Sequence, residues 1–275
     1  MRISRNETLF RNALSLFIVA FFLFPIVWLF STAFKLQRDV FALPPQLLGF
    51  QATLRNFEFA LNQVQVLRYV VNSVIISAGT TVISVLIGTL GGYALSRSKS
   101  RLIGGSAYFF LVLLMIPPVA MLVPFYLIMR DVGLLGTHLA VIILDTCYNA
   151  PFVVWMMSNY FRSVSTEMEE AALVDGASTF QAFLQVTLPL AIPGIIAAAL
   201  YCVIFSWNDF VFALLLTSPT TKTVPLAIMS QLSTSQSAWG TMTALGVFAV
   251  FPVLVVALAL NRYFVQGLTA GATKG

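Results

Sequence analysis

This chain of 275 residues carries ten carboxylates and one histidine. Two of the carboxylates, Asp145 and Asp209, lie inside otherwise apolar runs, where an ionisable group must face a cavity, a partner or another helix rather than lipid. Asp209 follows Trp207 and Asn208; an indole beside an amide and a carboxylate offers a stacking face and hydroxyl acceptors, which is the chemistry a sugar requires. With Asn149, these residues are the candidates for lining a solute path. The competing reading for each aspartate is a structural hydrogen bond between helices, and Trp207 serves equally well as bundle packing.

Three more carboxylates, Glu167, Glu169 and Glu170, open a segment of small and apolar residues, Ala171 to Val174. Thr166 three residues before Glu169 predicts a capping box that starts a helix. Gly176 fits its C-terminal cap. Ser178 with Gln181 repeats the capping-box spacing, so a second helix is expected to run from there towards Pro189 and Pro193. The stretch reads as helix, glycine turn, helix. Such a short helix suits a groove on a partner, or else it is a solvated amphipathic connector lying on the headgroups; its acidity speaks against the second, since helices on anionic lipid are normally basic.

Other chemistries are excluded by what is present. His138 alone cannot make a two-imidazole site, and Cys147 and Cys202 form no CxxC pair, so neither zinc chemistry nor a disulfide framework is indicated. None of the four lysines has a glycine before it together with a Ser or Thr after it, so there is no phosphate-binding loop and the chain does not hydrolyse ATP alone. No cofactor is expected on this chain.

The elements that must position these residues follow from composition. The chain is 59% hydrophobic and 9% charged, against about 25% charged in soluble domains. This points to an all-α polytopic membrane protein, and 25 charges so diluted make no nucleic-acid face. Charges mark the span limits: 23 uncharged residues separate Arg11 from Lys35, 28 separate Arg68 from Arg97 and 28 separate Arg101 from Arg130. Six spans are expected in one domain, at about 13–34, 69–95, 102–129, 138–161, 187–216 and 242–261, with a loop at 162–186 and a tail at 262–275. The first span is too long for a signal peptide and is read as retained.

Within the second span, Ser73, Ser77, Thr81, Ser84, Gly88 and Gly92 form a small-residue stripe, read as a packed helix face or else as a pore lining. Pro117, Pro118 and Pro124 are expected to break the third helix and Pro151 the fourth. Nine of the fifteen Lys and Arg fall on one side of a six-span arrangement, three of them within Arg97–Arg101, so the positive-inside rule puts both termini in the cytoplasm.

The spacing Glu170-Ala171-Ala172, three residues, Gly176, nine residues, Val186, one residue, Leu188-Pro189 closely resembles the EAA loop of ABC importer permeases, with Val where the family usually has Ile. Similarity extends through STAFKLQRDVFALPP, NSVIISAGTTVISVLIGTLGGYALSR, GLLGT, SWNDF and the terminal GLTAGATKG, and it resembles the shorter permease partner of the maltose-importer type. The resemblance implies a type I importer fold in the cell (inner) membrane. It implies that Glu170 to Gly176, including Asp175, with Leu188 and Pro189, couple to a dimeric cytoplasmic ATPase, and that Gly271, Lys274 and Gly275 in the tail reach the ATPase. ATP and magnesium would sit on that partner. A second, non-identical permease chain and an extracytoplasmic substrate-binding protein complete the implied assembly, which moves sugars by alternating access. Two alternatives stand beside this reading: an ion-coupled secondary transporter working through Asp145 or Asp209, and an ABC permease for another solute such as a glycerol phosphate.

Overall fold

A computed structural model describes residues 5–98, 100, 108–233 and 238–269. Along the chain the helices are α1 (Arg5–Ala33), α2 (Gln37–Val40), α3 (Arg55–Asn62), α4 (Val66–Arg97), α5 (108–113), α6 (Pro118–Asp131) and α7 (His138–Ser163). They continue as α8 (Glu167–Val174), α9 (Thr179–Leu190, with Phe183–Thr187 wound as π-helix), α10 (Ile192–Trp207), α11 (Val211–Leu216), α12 (Val224–Ser230) and α13 (Trp239–Thr269). Among the described residues there is no strand, only an isolated bridge between Gly136 and Thr217. Four helices are long and apolar enough to cross a bilayer, and the pair α9 and α10, bent by 73°, makes a fifth if counted as one span.

The remaining expected span is divided. The chain leaves helical geometry at 114–117, where Pro117 takes an extended conformation and Pro118 opens α6 at a first-turn position that needs no amide donor. Pro124 and Pro151, expected to break their helices, instead lie inside α6 and α7, which run through them. A proline removes one ladder bond, and neighbouring helices hold the rest of the turn in place.

Packing divides the chain into two compact units. The first comprises Met1–Arg68 and Ala227–Pro252. Here α1 is apolar on every side from Ala13 onward and leaves most of its length exposed, as suits a helix facing hydrocarbon, with only Thr32 and Ala33 buried at its C-terminal end. Its last carbonyl is taken up by Asn56, whose amide donates to Ala33 O at 2.9 Å and, just beyond the helix, to Lys35 O at 2.8 Å. Lys35, which reads in the sequence as a boundary charge, is only 2% exposed and holds its ammonium 4.6 Å from the Trp28 ring and 5.1 Å from that of Phe50. Burial draws its pKa down, opposed by Asp39.

The second unit comprises Tyr69–Leu226 and Val253–Gly275. The small-residue stripe of α4 meets α7: a side chain at Gly88 would collide with Val153, and a Cβ at Gly92 would fall 2.7 Å from Met157 Cβ and 2.8 Å from the Ser158 nitrogen. This close approach is what small residues permit in lipid, and it selects the packed-face reading of the stripe. Ser73 Oγ accepts from the Val224 amide at 3.0 Å, and Asn72 donates to Thr220 O and Lys222 O while its oxygen bonds His138 Nε2 at 2.8 Å. One apolar cluster gathers Ile76, Met129, Leu144 and Phe212; another gathers Val153, Met157, Phe161, Phe183 and Cys202.

Candidate functional site

The α8–α9 hairpin is the densest gathering of sequence-marked residues. The chain ends α8 at Val174 and reverses at Gly176, whose φ of +91° lies in the left-handed region that glycine enters without steric cost. Ser178 Oγ then accepts from the Gln181 amide at 3.3 Å while Gln181 Oε1 accepts from the Ser178 amide at 2.8 Å, the reciprocal box that starts α9. The expected box at the head of α8 does not form: Thr166 makes no side-chain cap bond.

Glu169 has another use. Its carboxylate turns inward, where Oε2 accepts from Arg97 Nε at 2.9 Å and Thr187 Oγ1 at 3.1 Å, and Oε1 accepts from the Tyr93 hydroxyl. Arg97 also donates from Nη1 to Phe161 O at 3.1 Å. One carboxylate thus joins α4, α8 and α9, and the guanidinium adds the end of α7. Burial pushes the Glu169 carboxyl up, but these bonds and the charge of Arg97 outweigh it and hold the group below the ordinary carboxylate value.

With Glu169 as anchor, the rest of α8 is turned outward. Glu170, Ala171, Asp175 and Gly176 are exposed, as is Pro189, while Ala172 and Leu188 are half-buried. Apolar side chains stand in the open beside them: Val174 is 87% exposed, Phe180 65% and Met168 53%. The hairpin presents an acidic rim with apolar contact points, chemistry that fits a groove on another polypeptide.

Of the residues marked for a solute path, Asp145 and Asn149 are brought together and Asp209 lies near enough for its charge to act on Asp145. Trp207 is buried, whereas Asn208 is exposed and donates to Ile204 O at 2.7 Å within its own turn. Asp209 accepts from the amides of Phe212 at 3.2 Å and Ala213 at 2.9 Å, capping α11. Asp145 and Asn149 are fully buried within the helix core. Gly271, Lys274 and Gly275 lie outside the described residues. Sequence reasoning missed Arg97, Tyr93 and Thr187 as partners of the hairpin, and Asn72 as the residue that fastens the loop at 220–222; only the polar character of Asn72, Tyr93 and Arg97 within or at the end of an apolar run hinted at them.

Residues 84–270 match the family described as "Binding-protein-dependent transport system inner membrane component". The chain is 33% identical over 254 residues to the probable ABC transporter permease protein y4oR of Sinorhizobium fredii, covering 92% of this chain and 91% of that one. It is 33% identical over 264 residues to the trehalose transport system permease protein SugB of Mycobacterium tuberculosis, covering 94% of each. Among solved structures it resembles a chain of a bacterial ABC transporter involved in the import of the acidic polysaccharide alginate, with a TM-score of 0.79, 26% identity and coverage of 96% of this chain and 99% of the other. Similarity of this length and level, over a helical fold carrying the EAA hairpin, establishes that the chain belongs to the family of binding-protein-dependent transport system inner membrane components.

Proposed function

We propose that this chain is the permease subunit of an ATP-driven importer of sugars. The observation that carries this reading is the α8–α9 hairpin, held to the bundle by Glu169 and presenting Glu170, Val174 and Phe180 outward, in a chain of this family. Glu170 to Gly176, with Leu188 and Pro189, seat in a cleft of a dimeric cytoplasmic ATPase, which carries the ATP and magnesium. Nucleotide binding there favours one of two bundle conformations through its differential affinity for them. The tail residues Gly271, Lys274 and Gly275 approach the same partner.

Six spans line half of an alternating-access path, and a second, non-identical permease supplies the rest; a substrate-binding protein delivers the cargo from outside. Both termini are cytoplasmic. Supporting this orientation, the ion pair sets α8 beside Arg97, at the end of the chain's most basic connection, Arg97 to Arg101. Sugars are favoured as cargo because relatives include a trehalose permease and a structural neighbour serves alginate import. Of the path residues, Asn208 alone offers an exposed polar group for a hydroxylated cargo. A secondary transporter coupled to an ion gradient is disfavoured by membership of a binding-protein-dependent family.

The test is reconstitution. Vesicles holding this chain with its permease, ATPase and binding-protein partners are expected to accumulate labelled trehalose or a related oligosaccharide only with ATP on the ATPase side. Uptake by this chain alone, driven by a sodium or proton gradient, would overturn the proposal.

A further inference from the structure

Three helices of the second unit each contribute two small polar residues one turn apart to one buried space: Thr80 and Ser84 from α4, Asp145 and Asn149 from α7, Cys202 and Ser206 from α10. Five of them are wholly inaccessible and Ser206 is 4% exposed. Ser206 donates its hydroxyl to Asp145 Oδ2, and the Asn149 amide donates to Asp145 O at 2.8 Å. The Thr80 hydroxyl faces the same carboxyl, and Ser84 faces the Cys202 thiol beside it.

No Lys, Arg or His pairs with Asp145 among the described residues, and the charged side chain whose field reaches it, Asp209, has the same sign. A carboxylate removed from water needs more than the neutral hydroxyls of Ser206 and Thr80 to stabilise its charge. Around it four buried oxygens find no protein hydrogen-bond partner: Asp145 Oδ1, Asn149 Oδ1, Thr80 Oγ1 and Ser84 Oγ. The bond from Asn149 Nδ2 fixes that amide so that its oxygen is the free end. The donor set is one carboxylate, one amide oxygen and two hydroxyls, all hard oxygen ligands, and a single carboxylate balances a single positive charge.

We propose that Asp145, Asn149, Thr80 and Ser84 bind a hard monovalent cation of the size of sodium, tying α4, α7 and α10 together. Full burial within close-packed helices favours the smaller alkali ion, by the same size logic that separates magnesium from calcium. The ion is structural in position, away from the outward face of α8. It is independent of the sugar reading, so failure of either leaves the other standing.

The experiment is equilibrium retention of radioactive sodium by the purified full chain in lipid nanodiscs, with unlabelled sodium, potassium or choline as competitor at fixed ionic strength. Saturable retention is expected, displaced by sodium, more weakly by potassium and not by choline. Asp145→Asn is expected to weaken it roughly tenfold or more. Should that variant fail to fold, Ser84→Ala, which removes a neutral ligand, is expected to weaken retention severalfold in a folded chain. Absence of saturable retention by the unaltered chain, displacement by choline as effective as by sodium, or unchanged retention in both variants would overturn the site.

Discussion

The Arg97 guanidinium and the Glu169 carboxylate, 72 positions apart, meet at 2.9 Å with both side chains largely withdrawn from solvent. This pair turns a short helix into a rigid extension of α4. The charge-assisted bond fastens α8 to the end of α4, and Tyr93 packs at the same corner, its ring 4.5 Å from that of Phe183.

Removing either member of the pair leaves the other buried and short of a partner. Arg97→Ala and Glu169→Ala are each expected to cost about 1–3 kcal/mol of unfolding free energy, and the double variant less than the two together. Denaturant unfolding of the purified chain in micelles measures the cycle; strict additivity would show that the two side chains do not interact.

The same carboxyl predicts an acid limb. Its folded pKa lies below the ordinary value of 4.5, so its stabilising contribution is complete above that value and fades as pH falls through the folded pKa. The unfolding midpoint of the native chain is expected to exceed that of Glu169→Gln at neutral pH, with the gap closing in acid. A gap constant from pH 7 to the acid limit would remove Glu169 as its source.

Gly176 and Glu170 bear on coupling instead. Proline fixes φ near −65°, against the +91° observed at Gly176, so Gly176→Pro is expected to misdirect α9 while the spans still insert. Glu170→Lys reverses an exposed charge on the proposed docking face and leaves the fold unchanged. Both variants should lose ATP-driven uptake and retain less ATPase on co-purification; normal values in both would mean that this face docks nothing.

Helix, glycine turn and helix were legible in residues 166–189 because Gly176, Ser178 and Gln181 act through bonds to their own neighbours in the chain. Glu169 was misread for the complementary reason: its spacing from Thr166 satisfies a local rule, but Arg97, Tyr93 and Thr187 offer three donors from residues far along the chain. Lys35 shows the same blind spot, since a charge that marks a boundary in the sequence is folded between two aromatic rings. Pro124 and Pro151 break nothing because a proline's effect depends on what surrounds the missing bond. The stripe on α4 was readable as a face, yet its partner, α7, was not, because pairing of helices leaves no periodic trace in either one.

The α4–α7 contact is testable at adjacent glycines. A Cβ at Gly92 meets backbone at 2.8 Å, so Gly92→Ala is expected to force the helices apart and cost about 1–3 kcal/mol. At Gly91 the nearest atom is the Val154 side chain at 3.2 Å, which can shift, and the helix propensity gained by alanine offsets the strain. Thermal unfolding should therefore fall in the first variant and hold in the second; equal behaviour would mean that the helices do not approach as closely as described.

Asp209 distinguishes a cap from a cargo contact. Both carboxylate oxygens are engaged by the amides of Phe212 and Ala213 at the start of α11, so Asp209→Ala is expected to cost about 1 kcal/mol and to lower uptake by loosening that helix, with the ATPase still bound. Asparagine keeps an acceptor in the same place and is itself a good cap, so Asp209→Asn should restore both the unfolding midpoint and most of the uptake. A cargo that required the negative charge would respond differently, because the asparagine variant would then fold normally and still fail to transport. Measuring both quantities on the pair of variants separates these outcomes, and normal folding with lost uptake in Asp209→Asn would move this residue from the frame of the protein to its solute path.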